Sequence, residues 1–481
     1  MSEMPRFKLG DLLALLLVVA VAGGLRGAYL WYLADQAKQD GPWLVQDPIP
    51  PIKDTAEAKN LRHDAPNQLD LLVYNLKEKK TFEGEAPLAP KGEITAHVAP
   101  GYPWLLSIIE KAPFDSSLID PSIRWLQCGL GTLTAAFYFF FARRAFHSLL
   151  VGAIAGLLCA ANPFWIVSTA EINDGVVTSF LLGLVLMLGA RASQQGGAAT
   201  SLLYGLMLAA LAMVRAALVP FGFAAMIWFL LRCRQIHRGW LFALLAFLGF
   251  ANALAPWTMR NYQQFGEIMP VVDSVYLHLW EGNNPEATGG PQSDDAARGA
   301  LAKARDESRQ ELDKELAEQP NQGKWYNSLA PDVIKQVREN PAGTLRRRLN
   351  AGLYFFFGES WFKDQTLTRD GAQPSDGLPG WLADCHEALI VGALLAMLLL
   401  GVLGWRWTYG WRWESMPSSL AMLWIPLPYI LSHAENLSGP RLPLDGVLLS
   451  YAAFALACLA PPVARDLFAG GGLTNKSEER P

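Results

Sequence analysis

The residues in this chain that could do chemistry are acids and arginines standing at the edges of long apolar runs. In Ser168-Thr169-Ala170-Glu171-Ile172-Asn173-Asp174-Gly175, both Glu171 and Asp174 precede such a run. A carboxylate there is costly to desolvate, which points to proton transfer or substrate binding. It also suits the positive N-terminus of a helix, and capping competes as an explanation of both acids. Arg260 follows Ala255-Pro256-Trp257-Thr258-Met259 and precedes Asn261 and Tyr262. Its guanidinium either grips a phosphate through two parallel hydrogen bonds or snorkels to the interface. Arg441 is a second phosphate candidate, in a polar corner shared with His433, Glu435 and Asn436. Asn283 and Asn284, in Glu281-Gly282-Asn283-Asn284-Pro285, could offer amides to sugar hydroxyls, although turn formation alone accounts for that composition.

The elements that must position these residues are membrane spans. The 481 residues are 51% hydrophobic and only 17% charged, far more apolar than a soluble globular chain. Crossing about 30 Å of hydrocarbon takes roughly 20 apolar residues. Candidate spans fall at about 11–33, 122–142, 148–168, 173–191, 200–216, 217–232, 239–258, 388–405, 417–433 and 444–462. With the N-terminus inside, Arg143-Arg144, Arg191, Arg232, Arg234, Arg238, Arg406 and Arg412 all fall in inner connections, as does the basic tail, in accord with the positive-inside rule. Both termini are then cytoplasmic. The same topology puts outside the 35–121 loop, the 168–174 corner, the 260–387 stretch and the 433–445 corner.

A polar loop as long as 35–121 beside a membrane is functional or disordered, and we take it as functional. Its acids include Asp54, Asp64 and Asp70. In the large outer insertion, Asp294–Glu318 has the composition of a solvated helix, and Pro331 opens another. The Leu353–Phe357 group is too short to span and is expected at the interface, with Trp361 as anchor. The organisation expected is an N-terminal membrane module over 1–259, an outer insertion over 260–387, C-terminal spans over 388–463 and a disordered tail over 464–481. The fold class is an all-α polytopic membrane protein. Net charge −4 and the lack of a basic stripe exclude a nucleic-acid binder. The five cysteines form no CxxC pair and read as small buried hydrophobes. No metal-ligating cluster stands out, and a need for a divalent cation stays open.

Ala255 to Gly266, through Pro256-Trp257-Thr258-Met259-Arg260-Asn261-Tyr262, resembles the PWxxRNYxxFG signature of bacterial membrane glycosyltransferases related to protein O-mannosyltransferases, within the GT-C superfamily. Pro100-Gly101-Tyr102-Pro103 resembles that family's PGYP turn, Leu279 to Pro285 its LWxGNNP stretch, and Arg441-Leu442-Pro443 its end motif in shortened form. Val333 to Asn340 before Pro341 resembles its helix preceding the NP step. The resemblance implies an enzyme in the cytoplasmic membrane with its active site facing outward. Sugar would pass with inversion from a polyprenyl-phosphate donor to an envelope glycan, lipid or protein acceptor. An acid of the first outer loop would deprotonate the acceptor. The family places it shortly before an Asn-Leu pair, which selects Asp64, upstream of Asn75-Leu76, with Asp54 and Asp70 in reserve. Glu171 matches the acid of the second outer corner, with Asp174 beside it in reserve, and Arg260 and Arg441 match basic positions facing the donor phosphate. Tyr102, Asn261, Tyr262, Asn283, Asn284 and His433 would line the substrate pocket. The competing readings are a flippase or transporter of lipid-linked sugars, which would show inverted repeats and midplane charges, and a catalytically inactive family member.

Overall fold

The computed structural model describes residues 8–40, 72–83 except 74 and 78, 95–109, 121–290, 294–314 except 306, 307, 309 and 313, 322–357, 399–405, 414–432 and 440–459. Among these residues the regular structure is helical, apart from an isolated bridge at Glu83. In hydrocarbon every backbone polar group must be satisfied within its own segment, and an α-helix does that.

The helices of the membrane part are α1 (Leu9–Asp40), α2 (Gly101–Ile109), α3 (Pro121–Ala145), α4 (Leu149–Ala161), α5 (Pro163–Val167), α6 (Gly175–Gln195), α7 (Ala198–Val214), α8 (Val219–Cys233) and α9 (Gly239–Phe265). The insertion after α9 supplies α10 (Val275–Glu281), α11 (Asp294–Arg305), α12 (Gln322–Ser328), α13 (Ala330–Glu339) and α14 (Pro341–Phe357). The chain returns with α15 (Met416–Trp424), α16 (Pro426–Leu431) and α17 (Leu442–Leu459).

Six helices are long and apolar enough to cross a membrane, and Leu149–Ala161, Ala198–Val214 and Met416–Leu431 are shorter apolar helices. The protein is an all-α polytopic membrane protein. Eight of the ten expected spans coincide with these helices, a ninth, 148–168, does so only over Leu149–Ala161, and the tenth, about 388–405, lies mostly outside the described residues. Trp361 and the 464–481 tail also lie outside them. The 148–168 segment is not one span but two helices, because Asn162-Pro163 ends α4 and begins α5. The α6 and α17 helices are central and α1 is peripheral, with Leu12, Leu13, Leu16 and Leu17 bare. Close backbone approach joins α7 to α9: a Cβ on Gly205 would overlap the Ala246 carbonyl oxygen, so only glycine fits there.

This insertion has its own small apolar core of Leu277, Trp280, Leu301, Leu312, Trp325, Tyr326 and Leu329. The 294–318 segment is therefore not wholly solvated: Leu301, Ala302 and Leu312 turn inward.

Candidate functional site

Asn162 shapes the corner between α4 and α6. Its side-chain oxygen accepts hydrogen bonds from the backbone N–H groups of Phe164 (2.9 Å) and Trp165 (3.5 Å), and Pro163 fits the first helical turn of α5. Ser168 ends that helix, and the chain turns irregularly through 169–174 before α6 starts. Glu171 thus stands on a corner between helices. Buried Gln127 of α3 clamps this corner, donating from Nε2 to the carbonyls of Thr169 (2.9 Å) and Glu171 (2.7 Å). Its Oε1 accepts from the Tyr102 hydroxyl at 3.3 Å, which brings the head of α2 to the same place. Arg124, nearly one turn before Gln127, donates from Nε to the Ala170 carbonyl at 3.1 Å.

The Glu171 carboxylate accepts one hydrogen bond, from Asn173 Nδ2 at 2.9 Å, and makes no ion pair among the described residues. Burial pushes its carboxyl up to about 7, against the pull of the Asn173 hydrogen bond. The Tyr29 phenol of α1 lies within electrostatic reach of both Glu171 and Arg124. Asp174 occupies the N-cap position of α6 but makes no side-chain cap to the helix backbone. Arg215 holds it instead through Nε at 2.7 Å and through Nη2. The sequence reading passed over Arg215, Arg124 and Gln127. The available signal was a charge standing between two adjoining apolar runs, at 215, and polar residues within another, at 124 and 127.

Arg441 opens α17 and is buried. Its Nε donates to Asp445 Oδ1 at 2.9 Å, Nη1 to the Phe356 carbonyl at 2.5 Å, and the guanidinium lies 5.1 Å from the Phe164 ring centre. Asn162 Nδ2 completes the Asp445 shell at 3.3 Å, and Trp165 Nε1 donates to the Leu442 carbonyl at 3.0 Å. Arg441 therefore sits at the start of the short helix that ends in the Glu171 corner.

Arg260 donates from Nη1 to the Thr95 carbonyl and Asn261 Oδ1, both at 2.9 Å, and from Nη2 to the Phe82 carbonyl at 3.3 Å. It rests 4.7 Å from the Trp257 ring centre. It fastens the end of the first loop onto α9. Just beyond, past Ala96 and His97, the chain reaches Gly101, where a Cβ would lie 2.8 Å from the Val214 side chain, next to Arg215. Arg260 and Gly101 thus tie the end of this segment to α9 and to the end of α7, next to Arg215.

The amides of Asn261, Asn283 and Asn284 are engaged by backbone. Asn261 Nδ2 donates to the Met269 carbonyl at 3.0 Å, Asn283 Nδ2 to that of Leu279 at 2.6 Å, and Asn284 Nδ2 to that of Glu281 at 3.0 Å. Tyr262 is exposed. Asp54, Asp64, Asp70 and His433 lie outside the described residues. Among the described residues no group of three or more His, Cys, Asp or Glu is poised to hold a metal ion.

Asp273 is a buried acid that the sequence left unmarked. The backbone N–H of Asp273 donates to the Ala96 carbonyl at 3.2 Å, while both of its carboxylate oxygens are buried without a hydrogen-bond partner among the described residues. Burial pushes its carboxyl up to about 6, and Arg260 pulls it down. Nearby, His97 has a sealed Nδ1 with no partner among the described residues and faces His278 at 5.7 Å between ring centres. Burial and His278 push the His97 imidazolium down to about 3, so the ring is neutral near pH 7.

These features define a multi-pass helical membrane protein with an acid-and-arginine corner at one end of its bundle. No protein-family model matches the chain, and no curated protein matches it. Among solved structures it is similar to the archaeal oligosaccharyltransferase AglB from Archaeoglobus fulgidus in complex with an inhibitory peptide and a dolichol-phosphate, at 14% identity and TM-score 0.44 over 83% of this chain and 46% of that one. It is also similar to the oligosaccharyltransferase from the same organism tethered with an acceptor peptide, at 14% identity and TM-score 0.46 over 85% of this chain and 47% of that one. The chain spans about half the length of these proteins. At this level of likeness no residue role is transferred.

Proposed function

We propose that this protein is a membrane glycosyltransferase of the GT-C type, moving a sugar from a polyprenyl-phosphate donor to an envelope glycan, lipid or protein at the outer face of the cytoplasmic membrane. The observation that carries the proposal is the Glu171 corner. A carboxyl bonded to no cation among the described residues stands on a corner held by Gln127, with a near-neutral proton affinity, close to Tyr29 and Arg124. A group poised near the working pH suits proton transfer. In this reading Asp64 takes the acceptor proton as base, with Asp54 and Asp70 in reserve, and Glu171 serves as the second acid. Inversion needs no covalent intermediate. The acceptor oxygen attacks the anomeric carbon as the bond to the lipid phosphate breaks, and the phosphate departs with the electron pair.

The departing phosphate needs positive charge. We assign that role to Arg260 and Arg441, with Arg124, which donates to the Ala170 carbonyl beside Glu171, as a further candidate. Arg260 and Arg441 are held in place by protein carbonyls and by Asp445. Tyr102 supports the corner through Gln127.

The test is transfer of labelled sugar from polyprenyl phosphate in membranes holding wild type, Asp64→Asn or Glu171→Gln. Loss of transfer in both variants, with unchanged insertion and folding, supports the reading. Full transfer in both overturns it, and movement of intact lipid-linked sugar without a new glycosidic bond would make the protein a flippase.

A further inference from the structure

Helix α14 has two unlike faces. Arg347, Ala351 and Phe355, spaced by four, turn toward the protein, and Phe355 packs on Tyr429 with ring centres 5.5 Å apart. Leu345, Leu349 and Leu353, also spaced by four, are 62%, 63% and 59% exposed. Residues four apart lie on one side of a helix, so these leucines form a single bare stripe about 12 Å long. The aromatic run that the sequence marked for the interface is thus partly used for internal packing, and the bare apolar surface begins two turns earlier. That surface adjoins the membrane bundle: α14 packs on α16, whose last residue, Leu431, is also exposed.

The same helix carries Arg346, Arg347 and Arg348, and none of them makes an ion pair among the described residues. Arg346 is exposed, and Arg347 is buried with a hydrogen bond from Nη2 to Thr344 Oγ1 at 2.9 Å. Arg348 donates to neutral acceptors: the carbonyls of Ile430 (2.5 Å), Ser432 (2.8 Å) and Gly282 (2.6 Å) and Asn283 Oδ1 (2.8 Å). The Nε groups of Arg347 and Arg348 are sealed without a partner among the described residues. Three neighbouring guanidiniums with no carboxylate among those residues call for an anion, and a bare leucine stripe calls for hydrocarbon. Both demands fall on one helix, at the membrane end of the insertion.

We propose that α14 binds an anionic phospholipid of the adjoining leaflet, with its phosphate at Arg346, the exposed arginine that borders the stripe, and its acyl chains along Leu345, Leu349 and Leu353. The site stands apart from sugar transfer and holds whether or not that activity is found. Arg348 fixes the Gly282 turn from this helix, and Arg441 binds the Phe356 carbonyl at its end.

The full chain is placed in nanodiscs of phosphatidylcholine with or without phosphatidylglycerol, and retained lipid is counted by native mass spectrometry. Wild type should retain phosphatidylglycerol preferentially, and Arg346→Glu should lower that retention about tenfold or more, the scale of losing two interfacial charge units. Lys335→Glu, exposed on α13 and outside the trio, should leave it unchanged. A nitroxide on Leu349→Cys, read against the unsubstituted chain, should be open to oxygen and shielded from a water-soluble nickel chelate. Equal retention of both lipids, equal losses in Arg346→Glu and Lys335→Glu, or a water-exposed label would overturn the site. Retention of polyprenyl phosphate alone would overturn the phospholipid assignment.

Discussion

Glu171 and Asp445 are two carboxyls at the same end of one helical bundle, and they are treated oppositely. Asp445 is fully buried, and Arg441 and Asn162 satisfy both of its oxygens. Glu171 receives one amide hydrogen bond and has its corner, not its charge, held by Gln127. Both anions give up water, but among the described residues only Asp445 is compensated by an arginine within hydrogen-bond distance. The difference separates an acid that fastens helices from one kept able to gain and lose a proton.

The sharpest way to break this contrast is to remove Arg441. Leaving Asp445 buried without its cation should cost about 3–5 kcal/mol, measured by unfolding in detergent. Arg441→Met with Asp445→Leu should recover most of that, because an apolar pair removes the buried charge altogether. If Arg441→Ala is as stable as wild type, the structural assignment of the pair fails.

Glu171→Gln should do the reverse: sugar transfer should fall by about 10²–10⁴ while the fold survives. The fold prefers the protonated acid, whose ordinary value of 4.5 is raised to about 7. That preference contributes stability fully below about 4.5, and the contribution is lost as pH rises through about 7. Glu171→Gln should therefore gain stability relative to wild type at pH 8 and match it at pH 4. Wild-type transfer should climb through pH 7 if the ionised form of Glu171 is needed, and a flat profile from pH 6 to 8 would rule that role out.

Asp174 and Arg215 form an intermediate case, since their pair is partly open to solvent. Asp174→Asn should lose about 1–3 kcal/mol, seen as a lower unfolding midpoint that added salt narrows. The smallest change is expected at Asp273. Its carboxyl is raised from 3.8 to about 6, so its contribution to stability is present below about 4 and lost as pH rises through 6. Asp273→Asn should erase that modest slope, and a slope persisting in the variant would locate it elsewhere.

The spans were legible because an apolar run of membrane length has few alternatives to a helix. The breaks were harder to read. Asn162-Pro163 lies inside a run whose hydropathy continues across it, and only cap geometry shows that α5 is separate. At the candidate site the sequence marked Glu171 and Asp174 by their position before a span, and that much needs no coordinates. It did not reveal that Asp174 pairs with Arg215, 41 residues on, or that Tyr102 reaches Glu171 through Gln127. Those links join different helices and leave no local pattern.

By itself, then, the sequence determined a helical membrane chain with its polar chemistry gathered at span ends, because hydrocarbon thickness and backbone hydrogen bonding act on each segment separately. Tertiary structure alone decided which charges are consumed and which are kept. Whether an arginine meets a carboxylate, as Arg441 does, or a set of carbonyls, as Arg348 does, depends on where other helices end. Partnering of that kind is a property of the assembled bundle, because the energy of a buried charge is set by neighbours that are distant along the chain.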